Sequence, residues 1–221
     1  MSLFLLLPVL LAVVILLALR RAKPGAELVP ALAIAAWFAV VFALERAGVF
    51  SKLEEMPPKI PLLAFGAMGL AWVISRVKGV KQALEVMPAW WEVALQTFRA
   101  PLELALYSLF VVGLLPEQMT FAGRNFDVLV GVTAPVMALL MATKRAPRWL
   151  QWAWQLGSVA LLVNVVSIAI TSAPGPLHLD WMGAPLTIVA QWPYALLPAF
   201  MVPVAALGHA LAISRLVRSS T

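Results

Sequence analysis

The polarity of this chain changes in long blocks. Seven apolar stretches, residues 2–19, 28–49, 59–76, 88–115, 126–143, 149–172 and 191–214, are separated by short segments that hold most of the charge. Each comes near the ~20 helical residues needed to cross a hydrocarbon core about 30 Å thick. The pattern predicts an all-α fold, a polytopic membrane protein with seven transmembrane helices in a single domain over residues 1–221. The fourth stretch departs from uniform apolarity. Glu92, Gln96, Arg99, Glu103 and Tyr107 recur at helical spacing and so share one stripe of that helix.

Composition strengthens the membrane reading. Hydrophobic residues make up 63% of the chain and charged residues 12%, with a mean hydropathy of +0.95, too little polar surface to keep a soluble domain dispersed. The 17 Pro and 12 Gly rule out a bundle of straight helices. Cys is absent, which removes disulfides, thiolate metal sites and Cys nucleophiles together.

The net charge of +6 changes the picture only through its placement. Arg20, Arg21, Lys23, Arg76, Lys78, Lys81, Lys144, Arg145, Arg148, Arg215 and Arg218 fall on one side of the seven-span scheme. Arg46, Lys52, Lys59 and Arg124 fall on the other. By the positive-inside rule this split puts the amino end outside and the carboxyl end in the cytoplasm. It also accounts for the basic character without nucleic acid. The first apolar run precedes its basic residues, the reverse of a secretory signal, so it is expected to remain as a helix. Trp90, Trp91, Trp149, Trp152 and Trp154 mark the cytoplasmic interface, and Trp181 and Trp192 the outer one. Trp37 and Trp72 lie deeper, where packing between helices is expected.

Small residues suggest how the helices meet. Ala31, Ala35, Ala39 and Ala43 form a ladder on the second helix, and Ala134, Ala138 and Ala142 on the fifth. Such ladders let backbones approach closely. Internal bundle packing is the first reading, and a homo- or hetero-oligomer seam the second.

The polar stripe carries the candidate chemistry. A charge at mid-membrane costs about 3 kcal/mol on insertion scales, so the stripe must face the interior or a water-filled cavity. Arg99 and Glu103, four residues apart, are expected to pair with each other or with polar groups on neighbouring helices, and to border a cavity. By depth, Gln96, Tyr107 and Asn164 are the expected companions. Asn125 and Asp127, in GRNFD (123–127), lie towards the outer mouth or cap the fifth helix. Two readings compete with this one. Residues 88–100 can lie as an amphipathic helix on the membrane surface, or the charged pair can be a structural staple without a ligand. On the sixth helix Gln151, Gln155 and Ser158 share one face. Pro135 and the series Pro193, Pro198 and Pro203 predict kinks in the fifth and seventh helices. His209 is expected to be a hydrogen-bonded interfacial residue.

Several functions are excluded. A retinal protein needs Lys on its last helix, and residues 191–214 have none. A b-type haem needs paired His ligands within the spans, where His209 stands alone. The string LGSV (156–159) is not the Gly-x-Ser-Gly setting of a rhomboid-like protease, and no HExxH motif occurs. No catalytic constellation, metal site or cofactor is expected. Two classes remain: a protein that binds or moves a small solute through an intramembrane polar pocket, and a ligand-binding sensor or accessory subunit of a membrane complex. The candidate ligand or pathway residues are Glu92, Gln96, Arg99, Glu103, Tyr107, Asn125, Asp127 and Asn164; the expected partners are the lipid bilayer and a small-molecule ligand.

The strings QTFRAPLEL (96–104), GRNFD (123–127), GVTAP (131–135) and SAPGP (172–176) resemble those of an uncharacterised family of bacterial seven-helix integral membrane proteins. The resemblance covers about residues 87–215. It implies a bacterial inner-membrane location and seven helices, and it supplies no activity and no site residues.

Overall fold

Helices account for every long element, and no strand occurs among the described residues. The computed structural model describes residues 2–175, 177–180 and 185–218. In chain order the helices are α1 (Ser2–Ala22), α2 (Leu28–Arg46), α3 (Lys59–Arg76), α4 (Lys78–Val86), α5 (Trp91–Leu95), α6 (Arg99–Val111), α7 (Val128–Ala142), α8 (Arg148–Ser172) and α9 (Val202–Arg218). A 3-10 turn over Gln96–Phe98 joins α5 to α6, and a π-helical turn over Leu197–Met201 leads into α9. Among the described residues, five segments are long and apolar enough to cross a membrane: Phe4–Ala22, Leu28–Arg46, Lys59–Arg76, Arg148–Ser172 and Leu197–Arg218. Large apolar side chains such as Leu10, Leu32, Phe65, Val73 and Val163 are exposed along them, the arrangement expected of helices that face lipid.

Contacts divide the chain into two compact units, one of Met1–Met87 with Thr187–Val204 and one of Pro88–Leu186 with Ala205–Thr221. The first is built around Val41, Phe50, Leu63, Ala195, Leu196 and Ala199. Proline shapes its backbone. Pro203 offers no N–H to the carbonyl four residues back, Ala199, and the indole Nε1 of Trp37 donates to that carbonyl at 2.8 Å. The π turn over Leu197–Met201 contains Pro198, as expected where an i→i−4 bond is lost. The last helix therefore begins at Leu197 rather than at residue 191, and it runs on to Arg218. Aromatic contacts tie this segment to the first two helices: Phe4 on Tyr194 at 4.8 Å, Phe38 on Phe200 at 5.0 Å and Phe42 on Trp192 at 5.3 Å. Trp72 is exposed instead of packed, with the Arg76 guanidinium 4.2 Å above its ring. The short helix α4 was not expected from the polarity pattern; Lys23 Nζ donates to its Gln82. Lys52, in the loop before α3, and Lys59, at its first position, lie 2.9 and 3.1 Å from Glu55 and hold its carboxyl below the usual range.

The Ala ladder of α2 is not an internal seam. Ala31 is half-buried, while Ala35, Ala39 and Ala43 are exposed. On α7 the expectation holds for Ala134 and Ala138, which are buried, and not for Ala142. Trp181 lies outside the described residues.

In the second unit the expected fourth span, residues 88–115, is a helical run from Trp91 to Val111 in three pieces. Pro101 cannot donate to the Thr97 carbonyl, so the ladder tightens to a 3-10 turn and restarts at Arg99. Helix α7 is only 15 residues, about 22 Å long. At one end of the unit Arg148 Nη2 donates to the Leu216 carbonyl at 2.8 Å, and Arg215 Nη2 lies 2.8 Å from Glu92 Oε1. At the other, Gln118 Nε2 donates to Ser172 Oγ at 3.3 Å.

Candidate functional site

Glycine fixes where the second unit can close. At Gly131 a Cβ would lie 2.1 Å from the Ala100 backbone N, so the backbone of α7 touches the start of α6. Asp127 is one turn before Gly131 on the same face, and Arg99 immediately precedes Ala100. The close approach thus sets Asp127 against Arg99. Gly123 makes the preceding turn, where a Cβ would fall 2.4 Å from the Glu117 carbonyl oxygen. Asn125 then locks the loop. Its Nδ2 donates to the Met119 carbonyl at 3.0 Å and to Glu103 Oε1 at 2.8 Å, while its Oδ1 accepts the Asp127 N–H at 3.0 Å. Asn164 Nδ2 holds the same loop from α8 through the Arg124 carbonyl at 2.9 Å.

Arg99, 1% exposed, is the hub. Its Nε donates to Asp127 Oδ2 at 2.5 Å and its Nη2 to Asp127 Oδ1, a bidentate pair. Its Nη1 lies 3.1 Å from His209 Nε2, and His209 Nδ1 lies 2.7 Å from Gln155 Oε1. The sequence-based pairing of Arg99 with Glu103 is therefore replaced. A carboxylate on a facing element takes both forks of the guanidinium, which an i+4 neighbour on the same helix does not. Glu103, also 1% exposed, has Asn125 as its partner; its Oε2 has no hydrogen-bond partner among the described residues. Asp127 occupies the N-cap position of α7 without capping it, because its carboxylate is turned to Arg99.

The other expected residues divide in two. Glu92 and Gln96 are buried on the same stripe. Glu92 forms its ion pair with Arg215, and Gln96 Nε2 donates to the Ala205 carbonyl at 3.1 Å. Gly208 makes room for that amide, since a Cβ there would lie 2.6 Å from Gln96 Nε2. Tyr107 and Asn164 are not part of the cluster. Tyr107 stacks on Phe121 at 4.7 Å, and Asn164 serves the loop.

A pocket of about 230 Å³ opens beside this network. It is lined by the polar Gln151, Gln155 and Arg215 and by apolar side chains that include Val93, Met137, Met141, Trp154 and Leu216. Arg99 and Glu103, expected to border a cavity, do not line this one. Gln155 and Arg215 do, and each bonds to a member of the buried polar set. Sequence reasoning missed His209 and Gln155 as site residues. The available signals were the shared face of Gln155 and Ser158, both buried, and the Gly208–His209 pair, where a small residue sits next to a polar one in an apolar helix.

The fold and site define an all-helical protein with membrane-length helices and a buried, charge-paired polar network beside a small pocket. The chain belongs to the DUF8737 family, a domain of unknown function, whose family profile matches residues 60–217. That match takes in every residue of the network and pocket. No curated protein and no solved structure matches the chain.

Proposed function

We propose that this chain is a seven-span protein of a bacterial inner membrane, amino end outside and carboxyl end cytoplasmic, that binds a small solute in an intramembrane polar pocket and moves it. In this reading the two further crossings are the 91–111 run and α7. Contacts at opposite ends of the second unit support it: Glu92 with Arg215 and Arg148 with Leu216 at one end, Gln118 with Ser172 at the other. The observation that carries the solute reading is Gln155, which is 2% exposed, lines the pocket and hydrogen-bonds the His209–Arg99–Asp127 chain. A ligand at Gln155 therefore meets the end of a connected polar network rather than an isolated amide.

The test is uptake of a solute panel into proteoliposomes by the wild-type chain and by Met141→Trp, which fills the pocket. Flux that Met141→Trp abolishes is the expected result. The second reading, an accessory subunit, draws on the exposed Ala35, Ala39 and Ala43 face. Absence of flux, with stoichiometric co-purification of another membrane protein that Ala39→Leu disrupts, would establish that reading instead.

A further inference from the structure

We infer that the pocket of the second unit selects a small organic carboxylate, with its acid group at Gln155 and Arg215 and its apolar body against Met137, Met141 and Trp154. This rests on the pocket reading above and adds the chemical class of the ligand. The argument follows the direction of the hydrogen bonds. Arginine only donates. Arg99 Nη1, 3.1 Å from His209 Nε2, therefore makes that nitrogen the acceptor and leaves the proton on Nδ1. Nδ1 then donates across 2.7 Å, so the Gln155 atom facing it is the acceptor, Oε1. The amide has one orientation only, and the end left for the pocket is Nε2, a donor. A group with only N–H to offer at that point would meet another N–H. Arg215, a donor-only side chain whose Nη2 pairs with Glu92 Oε1, lines the same pocket.

The rest of the lining fits an apolar body. Trp154 Nε1 donates to Thr133 Oγ1 at 3.0 Å, so the indole presents ring surface to the pocket. Met137 and Met141 are flexible and polarizable, and they adapt to a flat or branched group. The volume admits a compact molecule rather than a lipid chain.

The experiment uses two probes of one shape and opposite charge, benzoate and benzamidine, titrated calorimetrically into the full chain in nanodiscs. Benzoate is expected to bind saturably and benzamidine not. Met141→Trp is expected to abolish benzoate binding. Gln155→Glu keeps an acceptor for His209 but removes the donor in the pocket, and is expected to weaken benzoate by about tenfold or more. A thermal melt of each variant separates lost binding from lost folding, and Gln155→Met, which also removes the donor and is expected to weaken benzoate likewise, is the second variant if Gln155→Glu does not fold. Preference for benzamidine, abolished by Met141→Trp, overturns the carboxylate inference while the pocket reading stands. Benzoate binding that neither substitution changes overturns the assignment to this pocket. No binding of either probe up to ~10 mM, the weak end for ligands of this size, overturns the carboxylate inference; the pocket reading is then decided by the uptake panel.

Discussion

Arg99 binds three elements together, because a guanidinium 1% exposed must be met by acceptors on every side it presents. Asp127 meets it with two bonds and full charge, whereas Glu103 reaches it only through the local field. Removing the charge from Asp127 therefore strands a buried cation, a loss of about 3–5 kcal/mol where the site is dry. Asp127→Asn is expected to lower the thermal midpoint of the purified protein well below that of Glu103→Gln, which removes a carboxylate that has one unpartnered oxygen. Equal midpoints for the two variants would refute the assignment of Arg99 to Asp127. The stripe itself was legible from residues 92–107, since charges in an apolar helix must point inward. The partners were not. Asp127 and His209 lie 28 and 110 residues from Arg99, and only the tertiary approach of α7 and α9 joins them.

Helix contacts in the two units depend on backbone chemistry at single positions. Gly131 lets α7 touch Ala100, and the clash that a Cβ would meet there is with backbone, which cannot rotate away. Gly131→Ala is expected to cost about 2 kcal/mol or more through forced separation of α6 and α7. Gly69, with nothing within 4 Å of its Cβ position, serves as the control. Gly69→Ala is expected to be neutral or to stabilise by up to ~1 kcal/mol through helix propensity. Denaturation of both variants in one detergent checks the contrast, and a Gly131→Ala midpoint at the wild-type value refutes the contact. In the first unit, Trp37→Phe keeps the ring and deletes the donor to Ala199. A loss of about 1–3 kcal/mol is expected from the carbonyl left behind, measured as a lowered midpoint. Proline positions were readable as breaks, but the form of each break was not. Pro101 produces a 3-10 turn and Pro198 sits in a π turn because the neighbouring helices decide how the lost bond is absorbed.

The five membrane-length helices among the described residues follow directly from hydropathy, because each is apolar over nearly its whole length. The 91–111 run escapes that criterion through Glu92, Arg99 and Glu103, whose costs are met by partners remote in sequence. Helix α4 left no apolar block to recognise, and α7 is shorter than a bilayer core. The proposed seven-span topology is therefore most exposed at α7. A helix of about 22 Å crosses only if the ordered 123–127 loop and the Lys144–Arg148 segment carry the chain through the two interfaces. The absence of Cys makes this directly measurable by single-cysteine labelling. Lys52, Glu85, Glu117 and Arg145 are all exposed, so their replacement by Cys disturbs little. With an impermeant maleimide on intact cells, Lys52→Cys and Glu117→Cys are expected to react, and Glu85→Cys and Arg145→Cys only after permeabilisation. Complete reversal would invert the orientation but keep the crossings. Reaction of positions 117 and 145 from the same side would show that α7 does not cross, and with it the seven-span topology fails.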